Sequence, residues 1–380
     1  MKRLEFLPAL LMALCLLCAC GAQQPAGRPA APIAQAPAQS AEAEPISDGL
    51  VREADGRVRY YENGAAVELQ PGVQKLGGKA YFVEENGGIC DHQSCVAVVD
   101  DGSRCYFEDD CSLRRFAAGF AELPDGVYYA EEAGYALAGF SSEVVMLDGA
   151  LYAFDEAGRA LTFAPGVQEI FGRMYLVEAQ GMAIALHEPG LLLREDGLYL
   201  VLSDGSLAAD TAEGYLYFGA DGRYTSGNAA LDEAVEALLY ESGVNPADPE
   251  ASLRAAYSYL RDNYTYLSMD HQQPGTTDWE EDCALTFFDL GKGNCYCWAA
   301  AVSYCARRLG YQAYVVAGWE SSPTNDHAWT MIDWPDGETY LFDAQLEYAY
   351  WYMFSGKPKI DMFKASGDGV YYNGFAYFFP

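Results

Sequence analysis

Between residues 49 and 227 the chain repeats itself, and that repetition limits its fold more than any other feature. A turn carrying Gly is followed by an apolar-aromatic strand and another turn. The pattern is clear at Asp125-Gly126-Val127-Tyr128-Tyr129 and at Asp148-Gly149-Ala150-Leu151-Tyr152. With Tyr60, Tyr81, Tyr106, Tyr129, Tyr152, Tyr175, Tyr199 and Tyr217 as markers, the steps are 21, 25, 23, 23, 23, 24 and 18 residues. A unit this short holds one hairpin or strand pair, which cannot bury its aromatic face alone. Neighbouring units must stack to make a core. The expectation for residues 48–227 is an all-β region of stacked hairpins.

The Lys79-Ala80-Tyr81-Phe82 core and the period of about 20 residues resemble the cell-wall-binding, choline-binding-like repeats of Gram-positive surface proteins. The resemblance implies cell-wall components as partners of the repeats. The sequence departs from it in one respect: all six tryptophans lie at position 279 or later, so the repeats have none. An aromatic stripe at strand spacing is more often core than a binding box, so the repeats are expected to act as a spacer or protein-contact surface. Cys90, Cys95, Cys105 and Cys111 cluster within two repeats. Outside the cytoplasm such a set suggests two disulfides, in any of three pairings. A zinc site with His92 is the rival, but the cysteine spacings are wider than zinc usually takes.

The first residues read as a targeting segment, 1–19. Lys2 and Arg3 precede a short apolar run from Phe6 to Leu17, too short to span a membrane comfortably. Leu17-Cys18-Ala19-Cys20-Gly21 resembles a bacterial lipobox, which implies cleavage before Cys20 and diacylation of that residue. The resemblance implies a lipid-anchored protein on the extracellular face of a bacterial membrane. Residues 20–47 are Ala, Pro and Gln with almost no bulky apolar side chain, and so form a flexible tether. The whole chain carries 23 basic and 55 acidic residues, a net charge of −32, so it is expected to avoid nucleic acid and anionic membrane surfaces and to stay soluble by self-repulsion.

Near Asn228 the composition changes. Residues 230–240 and 249–264 have apolar positions at helical spacing, and 284–290 reads as a short third helix. The fourth begins at Gly293-Asn294-Cys295: Asn294 is a good N-cap, and Ala299, Val302, Ala306 and Leu309 recur behind it before Gly310 stops the run. A thiol in the first turn feels the positive end of the helix dipole, which favours thiolate. The period then switches to two, giving strands at 311–318, 327–334 and 338–343, the last two joined by Pro335-Asp336-Gly337. Helices followed by an antiparallel sheet read as α+β for residues 228–380.

Four blocks together resemble the transglutaminase-like cysteine protease superfamily. They are Gly293-x-Cys295-x-x-Trp298-Ala299, Leu309-Gly310-Tyr311-x-Ala313-x-Val315-Val316-x-Gly318, His327-Ala328-Trp329 and Asp343. The gaps are 32 residues from Cys295 to His327 and 16 from His327 to Asp343. The resemblance covers about 228–355 and implies a papain-like fold in helix-then-sheet order, with a peptide or protein as substrate. Cys295 is the nucleophile, His327 on an adjacent strand its acid–base partner, and Asp343 on the next strand the orienter of the imidazole. No cofactor or metal is implied. The oxyanion donors are expected to be the Cys295 N–H and an upstream side chain, with Tyr266 one candidate. Cys297 is a second possible nucleophile, two residues into the helix. Cys283, Cys297 and Cys305 otherwise read as buried thiols or a structural bridge, and Asp326 as a solvated loop charge.

The activity expected is cleavage of peptide or amide bonds through a thioester. Cross-linking onto an amine is the alternative, and a non-catalytic surface scaffold the competing class. The anchor is tested by labelled palmitate: incorporation is expected in the wild type and lost in Cys20→Ala. An unlabelled wild type refutes it.

Overall fold

A computed structural model of the chain describes residues 46–380, together with the backbone of Ala34–Gln35 as a two-residue strand. The targeting segment, Cys20 and most of the tether lie outside the described residues. Among the described residues no helix is long and apolar enough to cross a membrane. The chain divides into two compact units, one ending at Gly139 and the other running from Phe140 to Pro380, so the division falls inside the repeats.

The first unit is built of short antiparallel pairs. Gly72–Leu76 pairs with Lys79–Val83, Cys95–Val98 with Arg104–Phe107, and Gly119–Leu123 with Gly126–Ala130. The first of these turns on two residues, Gly77 and Gly78, both at positive φ (54° and 82°). That is the twist a tight hairpin needs, and glycine reaches it without a Cβ clash. Each hairpin is followed by a segment that bridges back. Ile89 N–H donates to Val58 O, and Leu113 N–H to Ala80 O, both at 2.7 Å. These bonds join consecutive modules, and between them lie small separate cores such as Phe82, Cys105, Phe107 and Leu113.

The second unit continues the same plan through Glu143–Leu147/Ala150–Phe154, Gly166–Ile170/Arg173–Val177, Gly190–Arg194/Gly197–Val201 and Thr211–Glu213/Leu216–Phe218. The repeat is confirmed, but the tyrosine is not its structural landmark. Tyr81, Tyr106, Tyr175 and Tyr199 are buried, whereas Tyr129 and Tyr152 are half-buried and Tyr217 is exposed. A step of one residue along a strand moves a side chain to the other face. The invariant position is the last residue of the second strand: Val83, Phe107, Ala130, Phe154, Val177, Val201 and Phe218 are each no more than 2% exposed. Their steps are 24, 23, 24, 23, 24 and 17 residues.

All eight described cysteines are free thiols, so the two disulfides expected among Cys90, Cys95, Cys105 and Cys111 are not formed. Register accounts for one pairing. Cys95 stands opposite Phe107 and Cys105 opposite Ala97, a diagonal relation that leaves Cβ atoms roughly 7 Å apart, too far for a bridge. Among the described residues no cluster of His, Cys, Asp or Glu could hold a metal ion.

From Asn228 the second unit becomes α+β. Helices α1 (Ala229–Ser242), α2 (Pro249–Asn263), α3 (Glu280–Leu290) and α4 (Cys295–Arg308) precede a five-stranded antiparallel sheet. Its order is 339–342, 326–333, 312–320, 375–378, 371–372. Side-chain oxygens cap three of the helices, Asn228 on α1, Asp248 on α2 and, as the sequence predicts, Asn294 on α4. Every residue of α4 is buried, its core faces joining α1–α3 and the sheet in one apolar cluster. Thr330 in the sheet donates its hydroxyl to Ala299 O of α4 at 2.8 Å, which fixes the helix along the strand that carries His327.

No break separates the last repeat from this region. Tyr215 N–H donates to Gln312 Oε1 at 2.7 Å, Gln312 Nε2 to Glu213 O at 3.0 Å, and Tyr215 stacks on Tyr314. The boundary expected at 227/228 is thus a change of secondary structure inside one compact unit. Sequence periodicity missed α5 (Ala344–Tyr348), the π-helical turn at Ala349–Met353 and the two C-terminal strands.

Phe107→Ala is expected to cost about 3–5 kcal/mol in urea unfolding. Because modules touch only neighbours, amide exchange should rise at Leu113 and stay unchanged in α4. A uniform rise would contradict the modular reading.

Candidate active site

Cys295 is the first residue of α4 and is 4% exposed. The backbone of Asn294 is extended, its Oδ1 accepts from Cys297 N–H at 3.4 Å, and its Nδ2 donates to Asp270 O at 3.2 Å. One side chain therefore caps the helix and ties down the segment that crosses its mouth. The Cys295 N–H, at the start of the helix, has no acceptor within it. Just upstream, Thr265–Tyr266 pairs in parallel with Lys292–Gly293, and Leu267 N–H donates to Gly293 O at 2.9 Å. That short ladder sets Tyr266 beside the cysteine. Burial raises the Tyr266 phenol, and the Cys295 charge adds to the rise.

Gly293 has no room for a side chain: a Cβ there would lie 2.5 Å from the Cys297 Cβ and 2.9 Å from the Phe287 ring. Glycine at this point is a matter of packing.

His327 sits near the start of the Asp326–Asp333 strand, opposite Gly318. Its Nε2 donates to Asp343 Oδ2 at 2.7 Å. Burial alone would push the imidazole down. The Asp343 charge, its hydrogen bond and a hydrogen bond with Cys295 reverse that and hold His327 well above its ordinary value. With Nε2 engaged by Asp343, Nδ1 is the nitrogen left to face the thiol. The three residues separated by 32 and 16 positions in sequence are thus brought together.

Asp343, expected on a strand, does not lie on one. The strand ends at Phe342, opposite Thr330, and a continued ladder would set Asp343 across from Trp329 rather than His327. Asp343 is instead the N-cap of α5: its Oδ1 accepts from Leu346 N–H at 2.8 Å, which turns Oδ2 toward the imidazole. The carboxylate is 2% exposed and carries one donor that sequence reasoning missed, the Tyr377 hydroxyl at 2.8 Å from Oδ2. Tyr377 is one of 29 tyrosines and has no spacing relation to the motif blocks, so no sequence signal singled it out.

The other sequence candidates stand apart. Cys297 is fully buried, with its sulfur 3.9 Å from Met269 Sδ. Cys283 shares a hydrogen bond with it that, with burial, pushes the Cys283 thiol far above the usual range. Cys305 is enclosed, and burial pushes its thiol to about 12. Asp326 is no isolated loop charge: it opens the strand and meets His271 Nδ1 at 3.4 Å.

Residues 237–344 match the model of the Transglutaminase-like superfamily, so this part of the chain is a transglutaminase-like domain. Among solved structures, choline binding protein F from Streptococcus pneumoniae, crystallised with a peptidoglycan analogue, is 16% identical. The match covers 47% of this chain and 58% of that one, with a TM-score of 0.30. The choline-binding domain of CbpL from the same organism is 17% identical over 48% of this chain and 100% of its own, with a TM-score of 0.21. A crystal structure described as a TGase matches 35% of this chain and 34% of that chain at 16% identity, with a TM-score of 0.24. No curated protein matches the chain.

A histidine held protonated by its native partners stabilises the fold fully below its unfolded value of about 6.5, and that stability is lost as pH rises through the higher folded value. Asp343→Asn removes the charge that raises it. The variant's unfolding free energy is expected to fall less than the wild type's as pH rises from about 6.5. Parallel curves from denaturation at a series of pH values would contradict the coupling.

Proposed function

We propose that the protein is a cysteine-dependent amidase or peptidase, carried by a lipid anchor at Cys20 on the extracellular face of a bacterial membrane. Cys295, His327 and Asp343 are its catalytic residues. The observation that carries this reading is the 2.7 Å bond from His327 to a buried Asp343, with Cys295 at a helix N-terminus close enough to help hold the same imidazole above its ordinary value. A raised histidine facing a thiol favours the thiolate–imidazolium pair over two neutral groups.

In the reaction, the Cys295 thiolate attacks the acyl carbon of an amide. The carbonyl oxygen takes the negative charge and is met by the Cys295 N–H, with the Tyr266 hydroxyl as the second donor. The C–N bond breaks as the His327 Nδ1 proton passes to the departing amine, leaving a thioester. Water, giving a proton to His327, then attacks the thioester. The C–S bond breaks, the acid is released, and the thiolate and imidazolium return. An amine in place of water would give transamidation. Asp343 keeps its charge throughout and holds the ring.

The repeats are proposed to act as a spacer. They have no tryptophan, and their recurring inner positions are filled by core side chains. A cell-wall ligand remains the alternative, and retention of the purified full chain on cell walls distinguishes the two. The domain limits 48–227 and 228–380 are kept as functional divisions.

The catalytic reading is tested with an iodoacetamide-type probe. Cys295→Ala should remove the fast-labelling thiol and His327→Ala should slow its labelling strongly; an unchanged fast phase in both refutes the reading and leaves a scaffold. Against a peptide library, His327→Ala should reduce turnover by about 10²–10⁴-fold. Product analysis with and without added amine separates hydrolysis from cross-linking.

A further inference from the structure

The Asp343 carboxylate has more partners than a Cys-His-Asp set requires. Its Oδ1 is held by Leu346 N–H, and its Oδ2 takes both His327 Nε2–H at 2.7 Å and the Tyr377 hydroxyl at 2.8 Å. Tyr377 is fully buried and comes from the Phe375–Phe378 strand, which lies outside the matched region 237–344. Its backbone is placed by pairing with Glu320 and by its own N–H, which donates to Val370 O at 2.7 Å. Its ring packs on Trp329, with centroids 5.0 Å apart, and lies 6.3 Å from the imidazole of His327. A phenol has one proton to donate, and this one goes to the same oxygen that orients the histidine.

We propose that Tyr377 is a positioning residue for the reaction: its hydroxyl fixes the Asp343 carboxylate and shares its charge, and so sets how firmly His327 is held as the imidazolium facing Cys295. The inference rests on the Cys295–His327–Asp343 reading. Two effects follow from the geometry. With Oδ1 tied to the α5 backbone and Oδ2 to the phenol, the carboxylate cannot rotate, and the imidazole has one orientation. The phenol also takes part of the charge on Oδ2. Without it, that charge falls on Nε2–H alone and the imidazolium is held more tightly.

The pair can be read without a substrate, from the rate at which iodoacetate alkylates Cys295 in the full chain, followed by mass spectrometry across pH. An anionic reagent reacts fast with a thiolate beside a cation and slows when that cation loses its proton. The wild type should therefore give a bell whose alkaline limb reports His327. In Tyr377→Phe, which keeps the ring packing, that limb is expected to move up by roughly 0.5–1 pH unit. Replacing Tyr377 with 3-fluorotyrosine keeps the shape and makes a stronger donor, so the limb should move down. Tyr372→Phe, a change at a neighbouring buried tyrosine, should leave it in place.

Opposite shifts support the inference, because a purely structural role does not reverse sign with donor strength. If Tyr377→Phe and the fluorotyrosine protein superimpose on the wild type, or shift together, while His327→Ala abolishes the bell, the Tyr377 inference fails alone. If the wild type has no bell and His327→Ala changes nothing, the catalytic reading fails and takes the inference with it. Should Tyr377→Phe not fold, the fluorotyrosine protein decides, since it retains the hydroxyl.

Discussion

The buried carboxylate of Asp343 is the group on which the transglutaminase-like part of this molecule depends. A carboxylate taken out of water costs several kcal/mol unless donors replace its hydration. Here the donors come from three places in the chain: Leu346 at the start of α5, His327 on the 326–333 strand and Tyr377 on the C-terminal strand. The chain must therefore close its sheet with residues 375–378 and start a helix at Ala344 before the charge can be buried. The same closure leaves one imidazole nitrogen for the thiol.

A second buried carboxylate supports the first. Glu347, one turn further along α5, accepts from Tyr257 at 3.0 Å, from Met362 N–H at 2.9 Å and from Arg261. Burial still raises its carboxyl above the usual range. Arg261 in turn lies over the Trp351 ring and bonds Asp262. This network pins α5 to α2, and through α5 it positions Asp343. Polar groups thus add to the apolar cluster around α4, which itself takes in Phe342 and Ala344 on either side of Asp343.

The repeats follow a different physics. Hairpins there gain a core through bridges that following segments make to the module before, as Ile89 does to Val58, Leu113 to Ala80 and Leu207 to Met174. The position that recurs is the inner end of the second strand, where Phe107, Phe154 and Phe218 or smaller apolar residues are buried. The tyrosines drew attention in the sequence because they are large and regular. Strand alternation, however, places some inward and some outward.

Sequence order and spacing were enough to identify the thiol at a helix mouth, the histidine on a strand and the stacked-hairpin repeat, because all three are local: a cap, a period and a turn. The Cys-to-Asp set was legible as a set through its resemblance to a family. What the chain could not disclose was non-local. That Asp343 caps a helix rather than ending in a ladder depends on register with Thr330 and on α5. The separation of the thiols at 95 and 105 depends on a diagonal in a ladder. The choice of Tyr377 among 29 tyrosines depends on which strand reaches the buried carboxylate. Local hydrogen bonding and periodicity are written residue by residue, whereas the satisfaction of a buried charge is decided only when distant segments meet around it.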